Sequence, residues 1–262
     1  MVGLDLLLEK IEELECKVRE DFSRRWNIIL NGKKRELSTI QSKSLHELYV
    51  HAFETGREIL SSKDVAKLRA FTPLDSDLSR FLWAYDWFTS SNLGKLKISR
   101  NKQYGVVTHI NPFPNEEYRV EAFQRPLKSG GLILKLKEAK KIMSMSDGKD
   151  IIVFPYEPID TGKVPRGVVT LKDIVGNYEQ EPHPFAMAVL GNEKHILYGY
   201  INRYIKAMEK GLFSPNWMGQ WVSIGETPNT MRPLEVGDRG IGFYNRNLLN
   251  KPEYNALAIK KK

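Results

Sequence analysis

The stretch WMGQWVSIGETPNTMRPLEVGDRGIGFYNRN, Trp217 to Asn247, holds two extended segments around a break. Trp221, Ser223 and Gly225 alternate with Val222 and Ile224, Pro228 and Asn229 interrupt the run, and Leu234 to Tyr244 resumes it. Alternation on either side of a breaker predicts a hairpin-like unit. Gly237-Asp238 fits a tight turn or bulge, because glycine takes positive φ freely and aspartate can bond its own backbone. Gly240 and Gly242 remove Cβ at alternate positions of the next strand, which suits a sharply coiled strand. Small closed barrels use these devices.

Working outward, the region from Lys95 to Val175 is rich in strand formers. Leu96–Ser99, Gly105–Ile110, Tyr118–Phe123, Leu132–Leu136, Ile151–Phe154 and Val168–Ile174 are short apolar or alternating runs. Asn111 to Asn115, Ser129-Gly130-Gly131, Asp147-Gly148 and Asp160-Thr161-Gly162 separate them with turn chemistry. Such spacing favours a meander, barrel or sandwich over βαβ units. A helix interrupts the strands at about 192–210, with Leu197, Ile201, Tyr204, Ile205 and Met208 on one face and Gly211 placed at C′. After the hairpin, Asn245 to Lys262 reads as a peripheral extension with a basic tail.

Upstream the signals are helical. Leu4, Leu7, Ile11, Leu14, Val18 and Phe22 form an amphipathic stripe, and Asn31-Gly32 then makes a turn or a C-cap. Ser44-Leu45-His46-Glu47 fits a capping box that opens a helix from Leu45 to about Leu60, and a shorter helix follows from Asp64 to Phe71. Arg80 to Phe88 satisfies both a strand and a helix pattern. Helix is preferred, with caps at Asp75, Ser76 and Asp77 and an exit through Ser90-Ser91-Asn92-Leu93-Gly94. The change of composition after Gly94 places a soft boundary there: residues 1–94 form a helical region and 95–262 a β-rich, barrel-like domain with the inserted helix. The fold class expected is α+β, a helical N-terminal part packed on a β-rich part containing a small antiparallel barrel.

The chain has 262 residues, 41% hydrophobic and 27% charged, enough to bury a sizeable core. It contains no run of the roughly eighteen apolar residues a membrane span requires, and its acidic, amphipathic start is unlike a signal peptide. Cytoplasmic synthesis is the default. Cys16 is the single cysteine, so no disulfide can form within the chain. The net charge of +8 permits nucleic acid or an acidic partner, but the basic residues are dispersed apart from Lys33-Lys34-Arg35 and Lys260-Lys261-Lys262.

No catalytic signature stands out. His46, His51, His109, His183 and His195 lack metal-ligand spacing. Gly148-Lys149 is followed by Asp150 where a P-loop needs Ser or Thr, and the glycines from Gly237 to Gly242 are in the wrong order for a dinucleotide fingerprint. Glu138-Ala139-Lys140 after an apolar run is the nearest approach to a nuclease strand end, and a solvated face explains it as well. Cys16 reads as a structural thiol. The expectation is a non-enzymatic protein without metal or cofactor. Trp217, Trp221, Phe243 and Tyr244 with Arg232, Arg239 and Arg246 form a candidate binding surface, although aromatics at these positions also suit a barrel core.

The run from Arg232 to Asn247 resembles the closing segment of the oligonucleotide/oligosaccharide-binding barrel in phage tail spike and baseplate hub proteins. Gly105 to Pro112, followed by Tyr118 to Phe123, is similar to the opening hairpin of those barrels. The resemblance implies a virion structural protein, assembling as a homo-oligomer with other structural proteins of a phage-like tail or baseplate through the barrel and the N-terminal helix. A nucleic-acid-binding barrel protein and a metal-dependent nuclease remain as alternatives.

Overall fold

Strands β1 (Arg25–Leu30) and β2 (Lys33–Ser42) face each other across Asn31-Gly32. Both turn residues have left-handed backbone, φ 50° and 74°, the geometry that a two-residue hairpin loop matched to strand twist requires. The computed structural model describes residues 24–100, 102–110, 132–155, 168–169, 184–212, 221–222, 229–237, 243–244 and 254–261. The expected helix from Leu4 to Phe22 lies outside them, as does Tyr118–Phe123.

Capping chemistry sets the next three helices. In α1 (Leu45–Glu54), Ser44 Oγ accepts from the Glu47 amide at 3.1 Å, while the Glu47 carboxylate accepts from Ser42 Oγ at 2.8 Å and leaves the box half closed. The helix stops at Glu54, short of Leu60, because Gly56 at φ 62° turns the chain into β3 (Arg57–Ile59). Ser61 caps α2 (Ser62–Phe71) and Ser76 caps α3 (Asp77–Ala84), each through its hydroxyl oxygen. The ambiguous run Arg80–Phe88 is therefore both: helix to Ala84, then strand from Trp87. Ser90 to Gly94, expected to end a helix, is the middle of the long strand β4 (Trp87–Ser99).

The remaining elements are β5 (Lys102–Thr108), β6 (Leu132–Ile133), α4 (Leu136–Ser144), β7 (Ile151–Pro155), β8 (Val168–Val169), α5 (Pro184–Val189), α6 (Lys194–Glu209), β9 (Trp221–Val222), β10 (Thr230–Val236), β11 (Phe243–Tyr244) and β12 (Tyr254–Lys260). The fold class is α+β, as expected, but the sheet is open. Its spine runs β1-β2-β12-β4-β10-β11, with β5 and β7 continuing from β4, and it does not close into the expected barrel.

Two further expectations fail in the sheet. The C-terminal stretch is no peripheral extension, since β12 lies between β2 and β4, antiparallel to one and parallel to the other. Nor do Trp221–Ile224 and Leu234–Tyr244 pair as a hairpin. β9 pairs with β8 in a separate two-stranded ribbon, and β10 pairs with β4 on one edge and with β11 at its end. Pro233, which has no N–H for a ladder, sits where the β10–β4 register shifts.

β4 also forks the sheet. Ala256 of β12 pairs with Phe88 near its start, whereas β5 joins it from Asn92 onward. Backbone groups between those points lose ladder partners, and the polar run Thr89-Ser90-Ser91 supplies others. The Ser90 amide donates to Leu60 O at 3.0 Å, the Ser91 amide to Thr89 Oγ1 at 3.3 Å, and Thr89 Oγ1 to Leu234 O at 2.8 Å. Buried amides and carbonyls seldom go unbonded, which explains three polar residues inside a central strand.

Alternation along the strands divides the core into layers. Leu37, Trp87, Leu93, Val107, Ile152, Phe154, Leu234, Leu257 and Ile259 face α2, α3, α5 and α6. On the other face, Ile40, Phe88, Ala256 and Ala258 meet α1, and Leu96, Val106, Ile151 and Met231 meet α4. At roughly 1.5–3 kcal/mol for each large apolar side chain, the first layer dominates the burial. Gly105 pairs with Phe154, whose ring would lie 2.3 Å from any added Cβ. Position 94, where the composition changes, falls inside β4.

Candidate functional site

The chemistry of the larger core layer gathers around Arg69. It occupies the buried stripe of α2 with Val65 and Ala66 and is itself fully buried. Its Nε donates to Leu82 O at 3.0 Å, Nη2 to Tyr85 O at 3.0 Å, and Nη1 to Tyr200 Oη at 3.2 Å and Gly237 O at 2.6 Å. The guanidinium also lies 4.7 Å from the Trp83 ring centroid, a cation–π distance. A charge removed from water is tolerable only with such a set of partners. One of them, Gly237, directly follows β10, so Arg69 fixes the point at which the chain leaves the sheet towards β11.

A second polar node surrounds His109. Its Nε2 donates to Ala188 O at 2.9 Å, which makes Nδ1 the acceptor, and Ser91 Oγ lies 2.9 Å from it. Ser91 Oγ accepts from the Ser62 amide at 2.9 Å, while Ser62 Oγ donates to Val189 O at 2.9 Å. Burial, reinforced by the nearby Lys63 charge, lowers the histidine pKa to about 4. Serine beside histidine suggests a nucleophile and its base, but the histidine's second nitrogen faces a carbonyl and the group is buried. The node is a clamp joining β4, β5, α2 and α5. Lys63 extends it through an ion pair with Asp150, beside the turn in which the Asp147 carboxylate accepts the amides of residues 149, 150 and 151. Those amides hold the Asp147 carboxyl below its usual range, against the opposing pull of desolvation.

Among the residues expected to form a binding surface, Trp221, Phe243 and Tyr244 come together in backbone position. They lie on β9 and β11, which are neighbours. Arg232 is on β10 opposite Leu93. Trp217, Asp238, Arg239, Gly240, Gly242 and Arg246 lie outside the described residues, so the expected turn is represented by Gly237 alone. Glu138 and Lys140 sit on the helix α4, where a strand end was expected, and Glu138 Oε2 accepts from the Lys135 amide at 2.6 Å as a helix cap. Lys140 is exposed. His51 and His195 are exposed and His183 lies outside the described residues.

Sequence reasoning missed Arg69 and the clamp. A cation at the i+4 position of an apolar helical stripe beginning at Val65 was the available signal for the first. It also missed a cleft of about 490 Å3 where the end of α6, with Arg203, Lys206 and Lys210, faces the turn at Pro73 and Leu74.

No family model and no curated protein matches the chain. A solved structure does: it concerns the accommodation of massive sequence variation in Nanoarchaeota by the C-type lectin fold, and it matches with a TM-score of 0.64 at 12% identity, over 86% of this chain and 98% of that one. At that identity the likeness is one of fold. Together with the open sheet, it overturns the resemblance to the barrels of phage tail spike and baseplate hub proteins and the tail or baseplate role drawn from it. The nucleic-acid-binding barrel and the nuclease gain no support in its place. What this chain shares with known proteins is the C-type lectin fold.

Proposed function

We propose that the chain is a recognition module, binding a protein surface without covalent chemistry through a site built on β9 and β11. The observation that carries this reading is the placement of Trp221, Phe243 and Tyr244 on neighbouring strands, next to a β10 terminus held by buried Arg69. Large aromatics supply contact area at small entropic cost and dominate the energetics of protein interfaces. Binding residues work best on segments fixed by a rigid scaffold, and both polar nodes rigidify this one. The related fold is described as accommodating massive sequence variation, and a core closed by its own clamps suits a scaffold whose surface changes.

The test screens the full chain in parallel against protein and glycan arrays, then repeats the screen with Trp221→Ala and Tyr244→Ala. Protein ligands lost tenfold or more in affinity at unchanged melting temperature are the expected result, in line with hot-spot aromatics at about 2 kcal/mol each. Glycan binding with blank protein arrays refutes the ligand class. Binding that both substitutions leave intact removes the site.

A further inference from the structure

The cleft at the end of α6 carries its own chemistry. Arg203, Lys206 and Lys210 follow one another at intervals of three and four, which stacks them on one face of the helix. Ion pairs such as Arg25–Glu36, Lys63–Asp150, Lys67–Glu193 and His195–Glu193 form elsewhere among the described residues, and none of the three takes part in them. Lysines near a helix C-terminus have an ordinary explanation, since they offset the macrodipole. Arg203 goes beyond it. Its Nε donates to Ala70 O at 3.1 Å, satisfying one of the last carbonyls of α2 and fixing the guanidinium at the cleft. An arginine anchored by Nε keeps its Nη pair as a two-pronged donor, the geometry that receives a tetrahedral or planar oxyanion.

Asp75 and Glu209 line the same cleft. Two carboxylates beside three cations disfavour a bare, highly charged anion and suit a molecule that also brings hydrogen-bond donors, which the carboxylates accept. The volume is that of a small-molecule site. We propose that this cleft binds a small organic oxyanion, such as a phosphate monoester bearing hydroxyl groups, with Arg203 gripping the oxyanion, Lys206 and Lys210 adding charge, and Asp75 and Glu209 accepting from the hydroxyls.

Titration calorimetry on the full chain at constant ionic strength tests it, with glycerol phosphate, inorganic phosphate and sodium chloride as probes. Glycerol phosphate binds, inorganic phosphate binds several-fold more weakly, and chloride gives no heat beyond dilution. Arg203→Gln weakens glycerol phosphate at least tenfold. The double variant Lys206→Gln, Lys210→Gln changes exposed side chains only, keeps the wild-type melting temperature, and weakens the same probe several-fold. Asp75→Asn narrows the preference for glycerol phosphate over inorganic phosphate. An absence of binding by both phosphates, or affinity unchanged in the folded double variant, overturns the proposal. These outcomes are read apart from the array screen, because the described lining of the cleft comes from residues 73–75 and 203–210.

Discussion

Arg69 and His109 are both basic side chains sealed in the same core, and the protein treats them in opposite ways. Arg69 cannot shed its charge, so three carbonyls, a tyrosine hydroxyl and an indole face surround it. His109 is held neutral by burial and needs only one acceptor and one donor, which Ala188 and Ser91 provide. The first arrangement binds segments far apart in sequence, α2 to the end of β10 and to α6. The second binds the fork in the sheet to the helices above it. A permanent charge demands many partners and so organises more of the fold, whereas a titratable group can satisfy a local joint cheaply but makes it sensitive to acid.

Breaking the first arrangement should have the largest effect. Arg69→Met fills a similar volume but leaves the Gly237 and Tyr85 carbonyls short of a donor, while Leu82 O keeps only the Trp87 indole N–H. A loss of roughly 3–5 kcal/mol is expected, measured as a fall in the urea midpoint with little change in slope. If the variant loses less than 1 kcal/mol, the cage is dispensable and the comparison fails at its first term.

Acid probes the second arrangement. The native pKa of His109 is about 4 and its ordinary value 6.5, so between those limits the unfolded chain takes up a proton that the native chain refuses. Stability is then fully present above pH 6.5 and falls as pH drops to about 4, by roughly 3 kcal/mol, after which this group contributes no further slope. His109→Gln keeps a donor for Ala188 and an acceptor for Ser91 without titrating. Its stability should be flatter than that of the wild type between pH 4 and 6.5, and identical slopes would assign the acid sensitivity elsewhere.

The same contrast marks what could be read from the sequence. Local rules located α6 to within two residues at its start, the caps of α1 and α3, and the turns at Asn31-Gly32 and Asp147-Gly148, because each depends on residues a few positions apart. The α+β class followed from the same signals. β12 was missed because its partner β2 is some two hundred residues away and nothing in YNALAIK names that partner. Thr89-Ser90-Ser91 misled for a related reason: polarity that ends a helix locally also serves a sheet fork, and only the tertiary pairing decides. At the candidate site, Trp221, Phe243 and Tyr244 were legible as a group from composition, yet their scaffold was not, since the partner of β9 is β8 and not β10. Arg69 looked like any helical arginine until its partners, drawn from α3 and its C-cap, α6 and the end of β10, came into view.

The finest test separates members of the Arg69 cage. Tyr200 Oη is its longest contact, at 3.2 Å, against 2.6 Å to Gly237 O on the same nitrogen. Removing the hydroxyl in Tyr200→Phe deletes one acceptor and leaves the ring stacked on Trp83, whose centroid is 5.7 Å away. The arginine retains a partner on every nitrogen, so the cost should be about 1 kcal/mol, within the range for a single net hydrogen bond. Paired with Arg69→Met in a double-mutant cycle, the tyrosine substitution should cost little more once the cation is gone, because the hydroxyl no longer has that donor to lose. Additive losses would show that Tyr200 stabilises the core by a route independent of Arg69. The charged cage would then reduce to its carbonyls and the indole face.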